Sequence, residues 1–136
     1  MSGVQMSAEL RGLQCTVTHG PSGARLETQP PKDNGGTGAC FSPTDLVAVA
    51  LATCALSTMA LAASREGLSF GDARASVEKR MTAAPRRVGE LVVVIDMPRE
   101  VLPEQRARLE EAARGCPVMR SLHPDVKVPI AFRYAT

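Results

Sequence analysis

Two cysteines of this 136-residue chain stand where a thiol can do more than fill space. Cys54 lies near the middle of FSPTDLVAVALATCALSTMALAA, residues 41–63, among small and apolar side chains. Cys116 follows the charged stretch LPEQRARLEEAARG and is itself followed by Pro117 and Val118. A free cysteine in apolar surroundings ordinarily acts as a small hydrophobe, and on composition alone that reading suits Cys54. Cys116 is better placed for chemistry, because a helix dipole and unpaired backbone N–H groups stabilise a thiolate at a helix start. The two thiols are 116 − 54 = 62 residues apart. Only a fold can bring their Cα atoms within the roughly 4.4–6.8 Å that a disulfide requires.

The other reactive side chains read as ordinary structure. Cys15 and His19 are four apart in a strand pattern, where they do not converge as they would on a helix, and Cys116 and His123 have no zinc-type partner pair, so no metal is expected. Gly35, Gly36 and Gly38 precede a helix start, but without Gly-Lys-Ser/Thr or a strand followed by GxGxxG they supply turn geometry rather than a phosphate cradle. There is no G-x-S-x-G elbow, which leaves a hydrolase without support. Met59 and Met119 read as filler for an aliphatic core. Cys40, just before the helix start, reads as a bystander, with the role of an alternative resolving thiol left open.

Positioning the two thiols falls to a strand, helix, strand, helix, strand order. Leu13, Cys15 and Val17 alternate with polar neighbours, as do Ala24, Leu26 and Thr28 after the turn HGPSG, which predicts an N-terminal hairpin stopped by Pro30 and Pro31. Ser42 as N-cap and Pro43 at the first helical position open a long helix that Gly67 breaks. Strands are expected over residues 73–82 and 88–97, with Leu91, Val93, Ile95 and Met97 on one face. Pro103 opens an amphipathic helix whose Leu109, Ala112, Ala113 and Cys116 share one side, Cys116-Pro117 starts a second helical turn, and a last strand runs through DVKVPIAFRY. A single domain spanning residues 1–136 follows, with no repeat or linker.

Composition removes several function classes. A net charge of +2, from 16 Lys and Arg against 14 Asp and Glu, is too small and too scattered for a nucleic-acid partner. The first residues, MSGVQMSAELRG, have neither a basic nor an apolar signal region, so a cytoplasmic protein is expected, where four cysteines without a CxxC pair make a structural disulfide framework implausible. Residues 46–63 form an uncharged run of 18, the lower limit for a membrane span, but seven are Ala and four are Thr, Ser or Cys, which gain little from lipid. A soluble helix apolar all round is the better reading, and it must be enclosed. In so short a chain the simplest enclosure is a second subunit.

GGTGACFSPTDLVAVALATCALSTMAL, followed by RGCPVMRSL and then VKVPIAF, resembles the OsmC/Ohr family, named for osmotically induced protein C and organic hydroperoxide resistance protein. The resemblance spans residues 12–134. It implies an α+β, OsmC-like fold: an intertwined homodimer with long central helices covered by antiparallel-rich β-sheets. It implies a thiol-dependent peroxidase that reduces organic hydroperoxides, with Cys54 as peroxidatic thiolate and Cys116 as resolving thiol, a transient disulfide reopened by an external thiol reductant, and no cofactor. The family activates its thiolate with an arginine from the N-terminal strands or their loops, here Arg25, with Arg11 as fallback. An acidic residue directly after the helix-start proline steers that arginine in typical members; Thr44 stands there in this chain, and Asp45, one step on, points about 100° away. The alternative is a redox-sensing or small-molecule-binding OsmC-like dimer without catalysis.

Overall fold

Period-two alternation builds the first sheet in the computed structural model, which describes residues 2–135. Three strands, β1 (Met6–Arg11), β2 (Gln14–His19) and β3 (Arg25–Thr28), pair antiparallel in the order β1-β2-β3. The hairpin expected from β2 and β3 is present, and β1 is an addition. Its pattern, Met6, Ala8 and Leu10 alternating with Ser7, Glu9 and Arg11, is the same one that marks β2. Gly12, at φ +63°, turns β1 into β2 so tightly that Leu10 pairs Cys15 and Arg11 pairs Gln14. One face of the sheet collects Met6, Ala8, Leu10, Cys15, Val17, Leu26 and Thr28; the other collects Ser7, Glu9, Arg11, Gln14, Thr16, Thr18, Arg25 and Glu27.

After Pro30 and Pro31 a short 3-10 turn, Lys32–Asn34, and the glycine loop lead back so that Phe41 bridges Thr28. Gly36 donates its N–H to the Pro31 carbonyl at 3.0 Å, and a Cβ there would lie 1.6 Å from the Pro30 oxygen. The close approach of two backbones excludes any side chain, so this glycine shapes the turn. Internal contacts divide the chain into one unit ending at Leu46 and another beginning at Val47.

Helix α1 (Pro43–Arg65) starts in the first unit and runs on through the second. Its buried residues in the second unit, Ala48, Leu51, Ala52, Ala55, Met59 and Ala63, form one stripe at helical spacing. Within the single chain the opposite side of α1 is open, with Thr53, Ser57, Ala60 and Leu61 exposed, Leu61 by 53%. By length and composition α1 is apolar enough to cross a membrane, and 33% of its apolar window is buried.

The second sheet has the order β4-β5-β6, with β4 (Arg74–Thr82) antiparallel to β5 (Arg87–Asp96) and β6 (Ile130–Arg133) parallel to it. Leu91, Val93, Ile95 and Met97 are buried on one face, as their alternation predicts. The last strand is shorter than DVKVPIAFRY suggests. Pro129 has no N–H for a ladder, and upstream of it only Lys127 makes an isolated bridge, to Glu90.

Helix α2 (Pro103–Arg114) opens with Pro103 in its first turn, and the Gln105 Oε1 atom accepts the Leu102 N–H at 2.9 Å. Leu109 and Ala113 are its buried residues, and the stripe continues into Cys116. Towards β6, the Tyr134 hydroxyl donates to Glu110 Oε2 at 2.5 Å, the Arg106 guanidinium lies 4.0 Å over the Tyr134 ring, and that of Arg114 lies 5.0 Å over Phe132. Burial and the Glu110 carboxylate both push the Tyr134 phenol above its ordinary range. These contacts fix the helix end that carries Cys116. Leu51, Met59, Leu91, Val93, Ile95 and Leu109 are under 2% exposed at the centre of the cluster, each contributing about 1.5–3 kcal/mol by burial.

Candidate functional site

The second unit brings the two motif cysteines together. Cys54 sits half-buried beside the buried stripe of α1, packed against the core cluster. Cys116 is fully buried, and it does two jobs: it ends the apolar stripe of α2 and serves as N-cap of α3 (Pro117–Ser121), where its carbonyl accepts the Arg120 N–H at 3.1 Å. The extended backbone at Cys116, φ −65° and ψ 154°, is what a following proline favours. It also breaks the helix at the point where the thiol must turn inward.

Cys116 lies close enough to Cys54 for the Cys54 side chain to bear on its ionisation, and both thiols are free rather than oxidised to a disulfide. Burial pushes the Cys116 thiol above its ordinary range; the hydrogen bond to Cys54 and the charge of a Cys54 thiolate push the same way, against the backbone N–H groups of Met119 and Val118. Cys116 is therefore held as a thiol.

One residue near the sulfur has no place in the sequence reading. Thr58, one helical turn after Cys54, has its Oγ1 atom 3.9 Å from Cys54 Sγ. The i, i+4 spacing on a helix was the available signal.

Arg25 opens β3 in the first unit, on the polar face of its sheet, exposed, with Nε donating to Thr18 Oγ1 at 3.4 Å. Arg11 lies on that face too, opposite Gln14. At the start of α1, Ser42 and Asp45 cap each other: Asp45 Oδ2 accepts the Ser42 N–H at 2.8 Å and Ser42 Oγ accepts the Asp45 N–H at 3.2 Å, while Thr44 Oγ1 is 3.3 Å from Ser42 Oγ. This is a capping box, in which the acidic group completes the helix start.

Cys15 and His19 share a face of β2 but are separated by four strand residues, about 13 Å. His19 Nδ1 instead meets Ser22 Oγ at 2.6 Å within the HGPSG turn. Among the described residues no group of three or more His, Cys, Asp or Glu side chains converges on a point where a metal could sit.

Residues 36–131, from the glycine loop into β6, match the model of the OsmC-like protein family. The chain belongs to that family. A protein from Psychrobacter arcticus 273-4, described by osmotic stress induction and a detoxification response, is 32% identical over 98% of each chain, with a TM-score of 0.90. At fold level this OsmC-like protein also matches an organic hydroperoxide resistance protein OsmC from Legionella pneumophila, at 20% identity, 97% of each chain and TM-score 0.77. Another match is an organic hydroperoxide resistance protein from Elizabethkingia anophelis, at 18% identity, 99% of this chain and 98% of that one, and TM-score 0.79. No curated protein matches the OsmC-like chain by sequence. The α+β fold expected from the resemblance is the fold observed.

Proposed function

We propose that this OsmC-like protein is a thiol-dependent peroxidase acting on organic hydroperoxides, with Cys54 peroxidatic and Cys116 resolving. The observation that carries the reading is the Cys116 thiol close enough to Cys54 to be shifted by it, in an apolar setting. The names of the Legionella and Elizabethkingia relatives support the substrate class.

The Cys54 thiolate attacks the terminal oxygen of R–O–O–H; the O–O bond breaks, the alkoxide leaves and takes a proton to become the alcohol, and Cys54 becomes a sulfenic acid. Cys116 sulfur then attacks the Cys54 sulfur, its proton leaving with the hydroxyl as water, and a disulfide forms. Two equivalents of an external thiol, as the reducing cytoplasm supplies, return both cysteines to thiols and leave as their own disulfide. A raised Cys116 suits its role, because a protonated neighbour does not repel the attacking thiolate. Apolar walls favour a substrate with a hydrophobic tail.

The homodimer belongs to this proposal. The exposed side of α1, with Leu61, and the exposed Met6, Leu10 and Leu26 of the first sheet support a second copy as cover. The family resemblance makes Arg25 the activating cation of this reading. Turnover of cumene hydroperoxide with dithiothreitol tests the reading, with loss of turnover in Cys54→Ser and a dimeric mass by sedimentation expected; a wild-type protein without turnover overturns it.

The non-catalytic redox-sensing reading draws on Thr44 in place of the acidic residue that steers the arginine. Thr44→Glu separates the two: stoichiometric oxidation of the Cys54–Cys116 pair without turnover in the wild type, and turnover gained by the variant, favour the sensor.

A further inference from the structure

Two threonines lie on the same helix and use their hydroxyls differently. Thr53 does what a mid-helix threonine ordinarily does and folds its hydroxyl back on the backbone, donating to Val49 O at 2.8 Å and Ala50 O at 3.2 Å. Thr58 has the same backbone and the same intrinsic choice, since β-branching in a helix leaves threonine two rotamers, one of which points Oγ1 at a carbonyl of the preceding turn. Its hydroxyl is found 3.9 Å from Cys54 Sγ instead, and that is its one hydrogen-bond contact among the described residues. Thr53 is exposed and Thr58 is half-buried beside the core cluster, so the Thr58 hydroxyl has less water to fall back on.

We propose that Thr58 is a catalytic hydrogen-bond donor to the Cys54 thiolate, holding the nucleophilic sulfur charged and aimed during attack on the hydroperoxide. The proposal rests on the peroxidase reading for its role in turnover, and on geometry alone for its contact with the sulfur. In the resting thiol form either atom of the pair can donate. Once Cys54 loses its proton only the hydroxyl can, and a donor to an anion forms the stronger, shorter bond. The titratable group shown facing Cys54 across the core is Cys116, from the α2–α3 junction, so Thr58 and Cys116 approach one sulfur from two elements. Thr58, carried on the helix that bears Cys54, keeps its place beside the sulfur throughout the attack on the peroxide, whereas Cys116 acts in the step that follows. That suits a chain in which Thr44 replaces the residue that steers the arginine in typical family members.

The test is the pH profile of Cys54 alkylation by iodoacetamide, followed on the Cys54 peptide by mass spectrometry in the full-length protein, beside cumene hydroperoxide turnover. Thr58→Val and Thr58→Ala are each expected to slow alkylation at neutral pH about tenfold and to move the midpoint of the profile up by about one pH unit, while Thr58→Ser retains the native profile. A native profile in either hydroxyl-free variant, or a Thr58→Ser profile shifted like theirs, overturns the proposal. Alkylation does not depend on peroxide. A wild-type protein that fails to turn over therefore sinks the peroxidase reading, while a shifted alkylation profile still upholds the Thr58 contact.

Discussion

Asp45 and Ser42 cap the start of α1 reciprocally, the carboxylate taking the Ser42 N–H at 2.8 Å and the Ser42 hydroxyl taking the Asp45 N–H at 3.2 Å. The only acidic residue in the first turn is thereby tied to the helix backbone. Losing one half of such a box costs about 0.5–2 kcal/mol. Asp45→Ala is expected to lower the thermal midpoint by several degrees while the pH profile of Cys54 alkylation stays in place; differential scanning fluorimetry and the alkylation assay check the two halves.

Removing the resolving thiol leaves the sulfenic acid without its partner. Cys116→Ser treated with cumene hydroperoxide is expected to form no intramolecular disulfide, to bind a sulfenic-acid trap at Cys54, and to accumulate sulfinic acid there with excess peroxide. Peptide mass spectrometry reads all three. Oxidation that stays on Cys15 or Cys40 would count against the pairing.

The raised Cys116 thiol links stability to pH. Its folded-state pKa lies above the ordinary value of about 8.5, chiefly through burial, so the folded protein holds a proton that the unfolded chain releases first. The contribution is fully present below the ordinary thiol pKa and is lost as pH rises through the folded value. The urea midpoint of the reduced protein is expected to fall above about pH 8.5, more steeply than that of Cys116→Ser.

Leu109 lies one helical turn before Ala113 in the stripe that ends at Cys116, and it is 1% exposed. Leu109→Ala is expected to cost about 2–5 kcal/mol and Leu109→Met less than about 1.5 kcal/mol in urea unfolding. Because the same stripe seats the resolving thiol, the alanine variant is also expected to close the Cys54–Cys116 disulfide more slowly, as read by rapid-quench alkylation.

Local pattern determined much of this molecule. Ser42-Pro43 marked the start of α1, Leu91 to Met97 marked the buried face of β5, and the spacing of Leu109, Ala113 and Cys116 marked the inner side of α2, because periodicity and capping are properties of neighbours in the chain. The run MSAELR carried the same signal for β1 and was open to the same reading. DVKVPIAFRY misled on length, since alternation continues through Pro129, which has no N–H and so interrupts the ladder even though its carbonyl and Lys127 still bond to β5. What the sequence left open was whether two thiols 62 positions apart meet, which way the Thr58 hydroxyl turns, and that Arg25 shares a polar sheet face with Arg11. Each depends on contacts between elements or on a choice among rotamers, and packing makes that choice: a buried Cys116 shifts because of what surrounds it, and Thr53 and Thr58, alike in sequence, part company over what each finds within reach.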